Sequence, residues 1–395
     1  MTDLESDFDR AVACHKAGRL AEAADLYRRA LTADPIDDEA HRLLGLLSFQ
    51  RGQAGNAERH LRDAIRLAPD NAKTYDNLAV VLHAVQRDEE ALPALRKAVE
   101  LAPANELFLV NLGNLLGEMG RRADAIDAFR RAVAAAPRNA DIHQRLASEL
   151  LRAGDAASAL RHLDAAIELG GPNATSLALK AVALGTAGDA DGFNALMDFD
   201  RLAVCRHIGE AHGAASLAAF NQSLAAIVAE NSLHKDHTTI NGLDSTEMLD
   251  LPNPATAALR RFVHGEIEAR LHALPASHPF AAMAPRTWAT KSWGVTMWRQ
   301  GYQDTHIHHK AWLSGVYYVQ LPEVVRPGQK GHAGWIEFGR GPDDLSPVAP
   351  PNVRLIQPVE GMLITFPSYM WHRTLPFEGK RDRISIAFDV VPKAG

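Results

Sequence analysis

The sequence predicts an α + β multidomain protein, with an all-α solenoid of helix pairs at the N-terminus and a jelly-roll β domain with flanking helices at the C-terminus. Three observations carry that expectation. Proline, alanine and glycine recur with a 34-residue period through the first half. The period ends near residue 191. Beyond residue 290, short runs rich in β-branched and aromatic residues follow one another with only Gly and Pro turns between them.

The repeat comes first. Pro35, Pro69, Pro103 and Pro137 are spaced by 34, with Pro172 one residue late. Ala30, Ala64, Ala98, Ala132 and Ala166 hold the same period, as do Ala23, Ala57, Ala91, Ala125 and Ala159. A turn series runs Gly18, Gly52, Gln86, Gly120, Gly154 and Gly188, with Gln86 the departure. Small residues suit the close crossing of two helices. Glycine ends the first helix of each pair because it adopts positive φ without a Cβ penalty, and proline stops the second. A unit of 34 residues with this pattern resembles the tetratricopeptide repeat, a pair of antiparallel helices. Repeats are expected at about 4–37, 38–71, 72–105, 106–139 and 140–173, with a capping helix near 174–190. Such solenoids present a groove for an extended peptide or partner protein. Candidate groove residues are His41, Tyr75, Asn77, Asn111, Asn114 and His143. The alternative is that the array serves assembly, for example into a homo-oligomer.

The expected domains are 1–190 for the solenoid, 191–235 for a helical connector and 236–395 for the β domain. Within them, 196–232 has helical spacing, 236–254 reads as loop and 255–274 as an amphipathic helix after Pro254. Strands are expected at Trp293–Gln300, Leu313–Leu321, Trp335–Phe338, Val353–Gln357, Met362–Phe366 and Arg383–Val391. Such a barrel holds a small ligand at its mouth.

Composition narrows the function classes. A chain of 395 residues is long enough for two cores, and its formal net charge of -6 lacks the basic excess of a nucleic-acid protein. Cys14 and Cys205 are far apart and outside any CxxC spacing, which suits a reducing compartment. The acidic start and the lack of a membrane-length apolar run give neither a secretory signal nor a span, so a cytoplasmic location is expected.

The chemistry gathers between Thr305 and Phe388. His306 and His308 share a face if 304–309 is extended, while His309 points away and Asp304 lies on the first face. His372 follows the apolar run Met362–Pro367, and Arg383-Ile384-Ser385 lies eleven residues beyond it. Imidazoles converging from two strands suit a redox-active divalent metal, and an arginine beside a small hydroxyl residue suits a carboxylate-bearing cosubstrate. One of Tyr317 and Tyr318 is expected in the core. Arg381, next to Asp382, reads as a surface ion pair, and His309 and His332 as histidines without a role at the site.

These residues carry a family resemblance. Trp293-Gly294-Val295-Thr296-Met297-Trp298, Gly301, His306-Ile307-His308, Trp312-Leu313-Ser314-Gly315-Val316-Tyr317-Tyr318-Val319, Pro322, Gly361-x-Leu363-x-x-Phe366-Pro367-Ser368-x-x-x-His372 and Arg383-Ile384-Ser385-Ile386 resemble the 2-oxoglutarate/Fe(II) oxygenases often fused to tetratricopeptide repeats. The resemblance covers about 196–395. It implies a double-stranded β-helix, Fe(II), 2-oxoglutarate as cosubstrate, O2, and a hydroxylase activity. Carried over, His306, His308 and His372 fall at the metal and catalytic positions. Arg383, Ser385 and Tyr318 fall where the distal carboxylate of 2-oxoglutarate would bind. The departure is His308, since most of the broader superfamily places a carboxylate there; the imidazole either ligates iron or acts one shell out. With the repeats in front, a protein or peptide substrate is expected. A small-molecule oxygenase or a non-catalytic metal-binding scaffold is the alternative.

Overall fold

The computed structural model describes residues 6–211, 214–231, 239–245, 247–274, 276–325, 328, 331–345, 350 and 352–393. The chain divides into two compact units, Met1–Glu149 and Leu150–Gly395.

The first unit is built of helix pairs: α1 (Asp7–Lys16) with α2 (Leu20–Ala33), α3 (Asp38–Gln50) with α4 (Ala54–Leu67), α5 (Ala72–Ala84) with α6 (Asp88–Leu101), and α7 (Glu106–Glu118) with α8 (Arg122–Ala135). The unit boundary falls inside α9 (Ala140–Arg152). Each pair closes on small residues. Ala23, Ala57, Ala91 and Ala125 are all fully buried. A further period-34 series, Gly45, Ala79, Gly113 and Ala147, marks the crossing itself, because a Cβ on Gly45 would meet Leu61 Cγ at 2.9 Å and one on Gly113 would meet the Phe129 ring at 2.9 Å.

The turn series adopts left-handed backbone throughout, with φ of 74° at Gly18 and Gly52, 61° at Gln86 and 73° at Gly120. At Gln86 a side chain occupies a conformation that costs an L-residue about 1–2 kcal/mol. Gln86→Gly relieves it at the expense of backbone entropy. The expected result is a net gain of about 0.5–1 kcal/mol in unfolding free energy, read by denaturant titration.

The second unit continues with α10 (Ala156–Gly170), α11 (Ala174–Ala187), α12 (Ala190–Met197) and α13 (Phe199–Leu202). Then comes β1 (Val204–His207), inside the stretch whose spacing reads as helical. Four residues are too few to show a period, and β1 owes its state to pairing with β7 (Met362–Pro367). α14 (Ala214–Asn231) follows. The expected loop 236–254 instead contains β2 (Thr239–Asp244), which pairs β3 (Trp288–His306) across a bulge; residues 236–238 and 246 lie outside the described residues. Asn241 at φ 51° and Gly242 read as turn residues, but here they form that bulge. α15 (Pro254–Ala273) starts on Pro254 with an Asn253 cap, and α16 (Pro279–Ala282) precedes the main strands.

With β4 (Leu313–Gln320), β5 (Ile336–Phe338), β6 (Arg354–Ile356), β8 (His372–Thr374) and β9 (Arg383–Pro392), the strands form one curled antiparallel sheet, ordered β1-β7-β4-β9-β3-β8-β5-β6, with β2 beside β3. The C-terminal domain is a double-stranded β-helix. β3 serves both walls: its first half pairs β9 from Trp288 to Met297, and its end pairs β8 at Gln303 and His306. The change of partner follows the bend at Gln300, φ 62°, and Gly301.

The pleat sorts the side chains. Ile384, Ile386, Phe388 and Val390 share the face of β9 that meets the helices, while Arg383, Ser385, Ala387 and Asp389 face inward. Inside, Val295, Met297 and Phe377 form a buried cluster with Trp293, Val324, Ala333 and Ala387 packed against it. On the outer face Gly315 sits opposite Phe388, and a Cβ there would lie 2.4 Å from Phe388 Cζ and 3.0 Å from the Ile364 carbonyl. Gly315→Ala should therefore cost about 2–3 kcal/mol, measured by urea unfolding, since two paired strands flank the site and neither can retreat.

Candidate metal centre

β3 and β8 bring two histidines directly opposite each other, His306 facing His372 across the ladder. β3 ends at His306, and the next two residues return His308 to the same place. The His308 backbone N–H donates to Ser368 O at 3.0 Å, and Ser368 hydroxyl donates to Ala311 O at 2.5 Å, so two loops lock together. The three imidazoles offer ligand atoms that all lie within 4.8 Å of one another.

Their tautomers are fixed from outside. His306 Nδ1 lies 2.7 Å from Asp304 O, His372 Nδ1 2.9 Å from Met370 O, and His308 Nδ1 3.0 Å from Asp389 Oδ2. Each of these oxygens only accepts, so each Nδ1 must donate and each Nε2 is left as the lone-pair nitrogen. His308 Nε2 and His372 Nε2 then face each other at 3.4 Å with no proton for the gap. Two lone pairs at that range repel, and a cation bound at about 2.0–2.1 Å from each turns the repulsion into ligation. Burial, with His306 and His308 adding, holds His372 well below the usual imidazole range, which keeps it in the neutral form a metal requires. Phe366 meets the His372 ring edge-on at 4.6 Å and Trp293 stacks on His308 at 5.8 Å, giving the cluster an apolar wall.

The arginine sits farther down the same barrel interior. Arg383 is 2% exposed, its Nε has no hydrogen-bond partner, and no carboxylate pairs with it among the described residues. Its guanidinium carbon lies 5.0 Å over the ring of Tyr318, whose buried hydroxyl makes no well-aligned hydrogen bond among the described residues but is acted on electrostatically by the guanidinium. Burial pulls the arginine's pKa below its ordinary value and pushes the Tyr318 hydroxyl up to about 12. Ser385 is opposite both Val295 and Tyr318 on the inward face. A buried guanidinium with an unpaired Nε, beside a tyrosine hydroxyl, has the charge and the donors to receive an anion.

Other candidates take quieter places. Tyr317 hydroxyl donates to Asn221 Oδ1 at 2.7 Å on the helix side, so of the two tyrosines it is the core residue. Arg381 pairs with Glu360 at 2.9 Å, both partly exposed. His309 turns to Thr175 at 2.9 Å, and His332 packs edge-on to Trp335 at 4.6 Å. Trp371 indole N–H reaches Ala178 O at 3.0 Å, which ties the loop carrying His372 to α11.

Sequence reasoning passed over Asp389 and gave Trp293 no role. Asp389 had a signal in its parity, since it lies six residues beyond Arg383 on the same strand face. Trp293 had none beyond its place in the motif.

In the repeats, His41, Tyr75 and His143 prove to bond the carbonyls of Pro35, Pro69 and Pro137 at 3.2, 3.1 and 3.1 Å, so their polar atoms brace the turns. Asn111 bonds Asp76 at 2.8 Å and Arg145 bonds Asn114 at 3.2 Å, a polar row linking the first helices of successive pairs. A second cluster, His41, His60 and Asp63, is also close enough for a metal. There the protons close a chain: Arg59 donates to His60 Nε2 at 3.2 Å, His60 Nδ1 donates to His41 Nδ1 at 3.1 Å, and His41 Nε2 donates to Pro35 O. Every ring nitrogen is satisfied, so nothing calls for an ion.

No helix among the described residues is long and apolar enough to cross a membrane. No curated protein matches the chain. Among solved structures, "Crystal structure of MamA" is 22% identical over 40% of this chain and 92% of that one, with a TM-score of 0.38. "Crystal structure of YrrB: a TPR protein with an unusual peptide-binding site" is 23% identical over 43% and 88%, TM-score 0.39. "MamA MSR-1 C2" is 31% identical over 41% and 94%, TM-score 0.37. Residues 5–38, 42–106 and 110–174 match the family model described as "Tetratricopeptide repeat", and residues 291–389 match the one described as "Putative 2OG-Fe(II) oxygenase". The chain thus carries a tetratricopeptide array followed by a domain of the 2OG-Fe(II) oxygenase kind.

Proposed function

We propose that this protein is an Fe(II)- and 2-oxoglutarate-dependent hydroxylase that acts on a protein or peptide substrate engaged by its repeats. The observation that carries the reading is Arg383: a buried cation without a carboxylate counterion among the described residues, in the same barrel interior as three imidazoles whose ring nitrogens come within 4.8 Å of one another. A metal alone leaves that arginine unexplained; a dicarboxylate cosubstrate uses both features.

His306, His308 and His372 would hold the iron through Nε2. Fe(II) with 2-oxoglutarate would supply O2 activation, with the cosubstrate oxidised to succinate and CO2. The residues' own work is positional. Arg383 presents its fork to the distal carboxylate, and the Tyr318 hydroxyl and Ser385 are placed to add hydrogen bonds. Trp293, Val295, Met297 and Phe377 keep water from the space between.

The polypeptide half of the proposal rests on the repeats and on the polar row Asp76, Asn111, Asn114 and Arg145. Because α11 belongs to the compact unit that contains the barrel and holds Trp371, truncation through residue 190 would damage the metal loops. Substitutions in the row are the cleaner probe.

The test is turnover of 2-oxoglutarate to succinate by the iron-loaded chain, with mass spectrometry for a gain of one oxygen in polypeptides that co-purify with it. Asn111→Ala with Asn114→Ala should raise KM for that polypeptide and leave kcat near its original value. No succinate under any condition would reject the enzyme. Turnover on a small molecule, indifferent to the row, would reject the polypeptide substrate.

A further inference from the structure

The third imidazole stands where a carboxylate is usual, and the structure shows where a carboxylate has gone. Asp389 Oδ2 accepts from His308 Nδ1 at 3.0 Å, and its other oxygen accepts from Ser314 hydroxyl at 2.6 Å. Register explains the meeting: Ser314 and Asp389 are direct partners across β4 and β9, and both point inward. The side chains of His308 and Asp389 are only 15% and 17% exposed, so the interaction is little screened by water.

We propose that Asp389 is the positioning residue for the third ligand, which rests on the metal-centre reading above. It acts in two ways. It fixes His308 as the Nδ1–H tautomer, so that Nε2 faces His372. It also returns to the centre, one bond farther out, the negative charge that a directly ligating carboxylate would bring. Ser314 holds the second oxygen and so sets the carboxylate's plane. A histidine held by a carboxylate is a better donor to a metal than one held by a neutral acceptor. Three imidazoles backed by one Asp389 carry the same net charge as two imidazoles and one carboxylate.

Asp389→Asn separates the two contributions, because the amide oxygen still accepts from Nδ1–H but brings no charge. The measurement is Co(II) affinity of the full chain under anaerobic conditions, followed by visible absorption. Asp389→Asn should weaken Co(II) binding about 10- to 100-fold, the range for such outer partners. In a His308→Ala background the same substitution should change affinity less than about twofold, since it then has no ligand to act through. Ser314→Ala, a milder change, should show a smaller loss with the same dependence on His308.

Wild-type affinity in Asp389→Asn, with binding abolished by His372→Ala, would overturn the role of Asp389 and leave the metal centre standing. An equal loss in the His308→Ala background would also overturn it, by showing a general structural effect. Absence of Co(II) binding by the wild-type chain would overturn the metal centre and this proposal together.

Discussion

Replacing Arg383 with methionine should weaken 2-oxoglutarate binding at least about a hundredfold and, in the same protein, raise the stability of the cosubstrate-free fold. The two effects have one cause. Arg383 is 2% exposed and has no carboxylate partner among the described residues, so the apo fold bears the desolvation of a guanidinium with little in return beyond Tyr318. Methionine fills similar volume without charge. Apolar replacement of buried charge networks has gained about 1–4 kcal/mol elsewhere, and a gain of about 1–3 kcal/mol is expected here. The wild type should recover the difference when ligand is added, by about 2.7 kcal/mol at one hundred times the dissociation constant. Thermal unfolding with and without 2-oxoglutarate, in the presence of Mn(II), checks both halves. A variant less stable than wild type that still responds to 2-oxoglutarate would assign Arg383 to the core rather than to a ligand.

His372→Ala carries the other large expectation. His372 is the most buried of the three histidines, lies opposite His306, and closes the lone-pair contact with His308. Its loss should reduce Co(II) or Fe(II) affinity by at least about two orders of magnitude, more than the 10- to 100-fold typical of outer-shell partners. The stabilisation that metal gives the wild type should vanish with it, whereas His309→Ala should retain both. Isothermal titration with Co(II) reads the first and differential scanning calorimetry the second. Metal affinity within tenfold of wild type would remove His372 from the ligand set.

How far these features could be read from sequence depends on the range of the interactions that create them. The helix pairs were legible because local chemistry repeats: a small residue at each crossing, a positive-φ residue at each turn, a proline at each stop. Even the exception was informative, since Gln86 keeps the left-handed backbone of its glycine neighbours. The long inner strands were legible from their aromatic and β-branched content. β1 and β2 were not, because four residues beside β7 and a bulged pair beside β3 become strands only through partners distant in sequence. The same division holds at the site. His306, His308, His372 and Arg383 stood out by residue type and spacing. Asp389 offered only its strand parity with Arg383, since its importance lies in a contact with a residue 81 positions away. The unpaired Nε of Arg383 was invisible, because a missing hydrogen-bond partner is a property of the packed interior.

Anaerobic addition of 2-oxoglutarate to the Fe(II)-loaded chain tests the central proposal most directly, because the charge-transfer absorption of an iron-bound 2-oxo acid requires the metal and the cosubstrate in one place. Wild type should develop the band with saturable dependence on 2-oxoglutarate, Arg383→Met should need at least about a hundredfold more, and His372→Ala should show none. A wild-type chain that binds Fe(II) without developing the band, or a band whose 2-oxoglutarate dependence is unchanged in Arg383→Met, would contradict the proposed cosubstrate site.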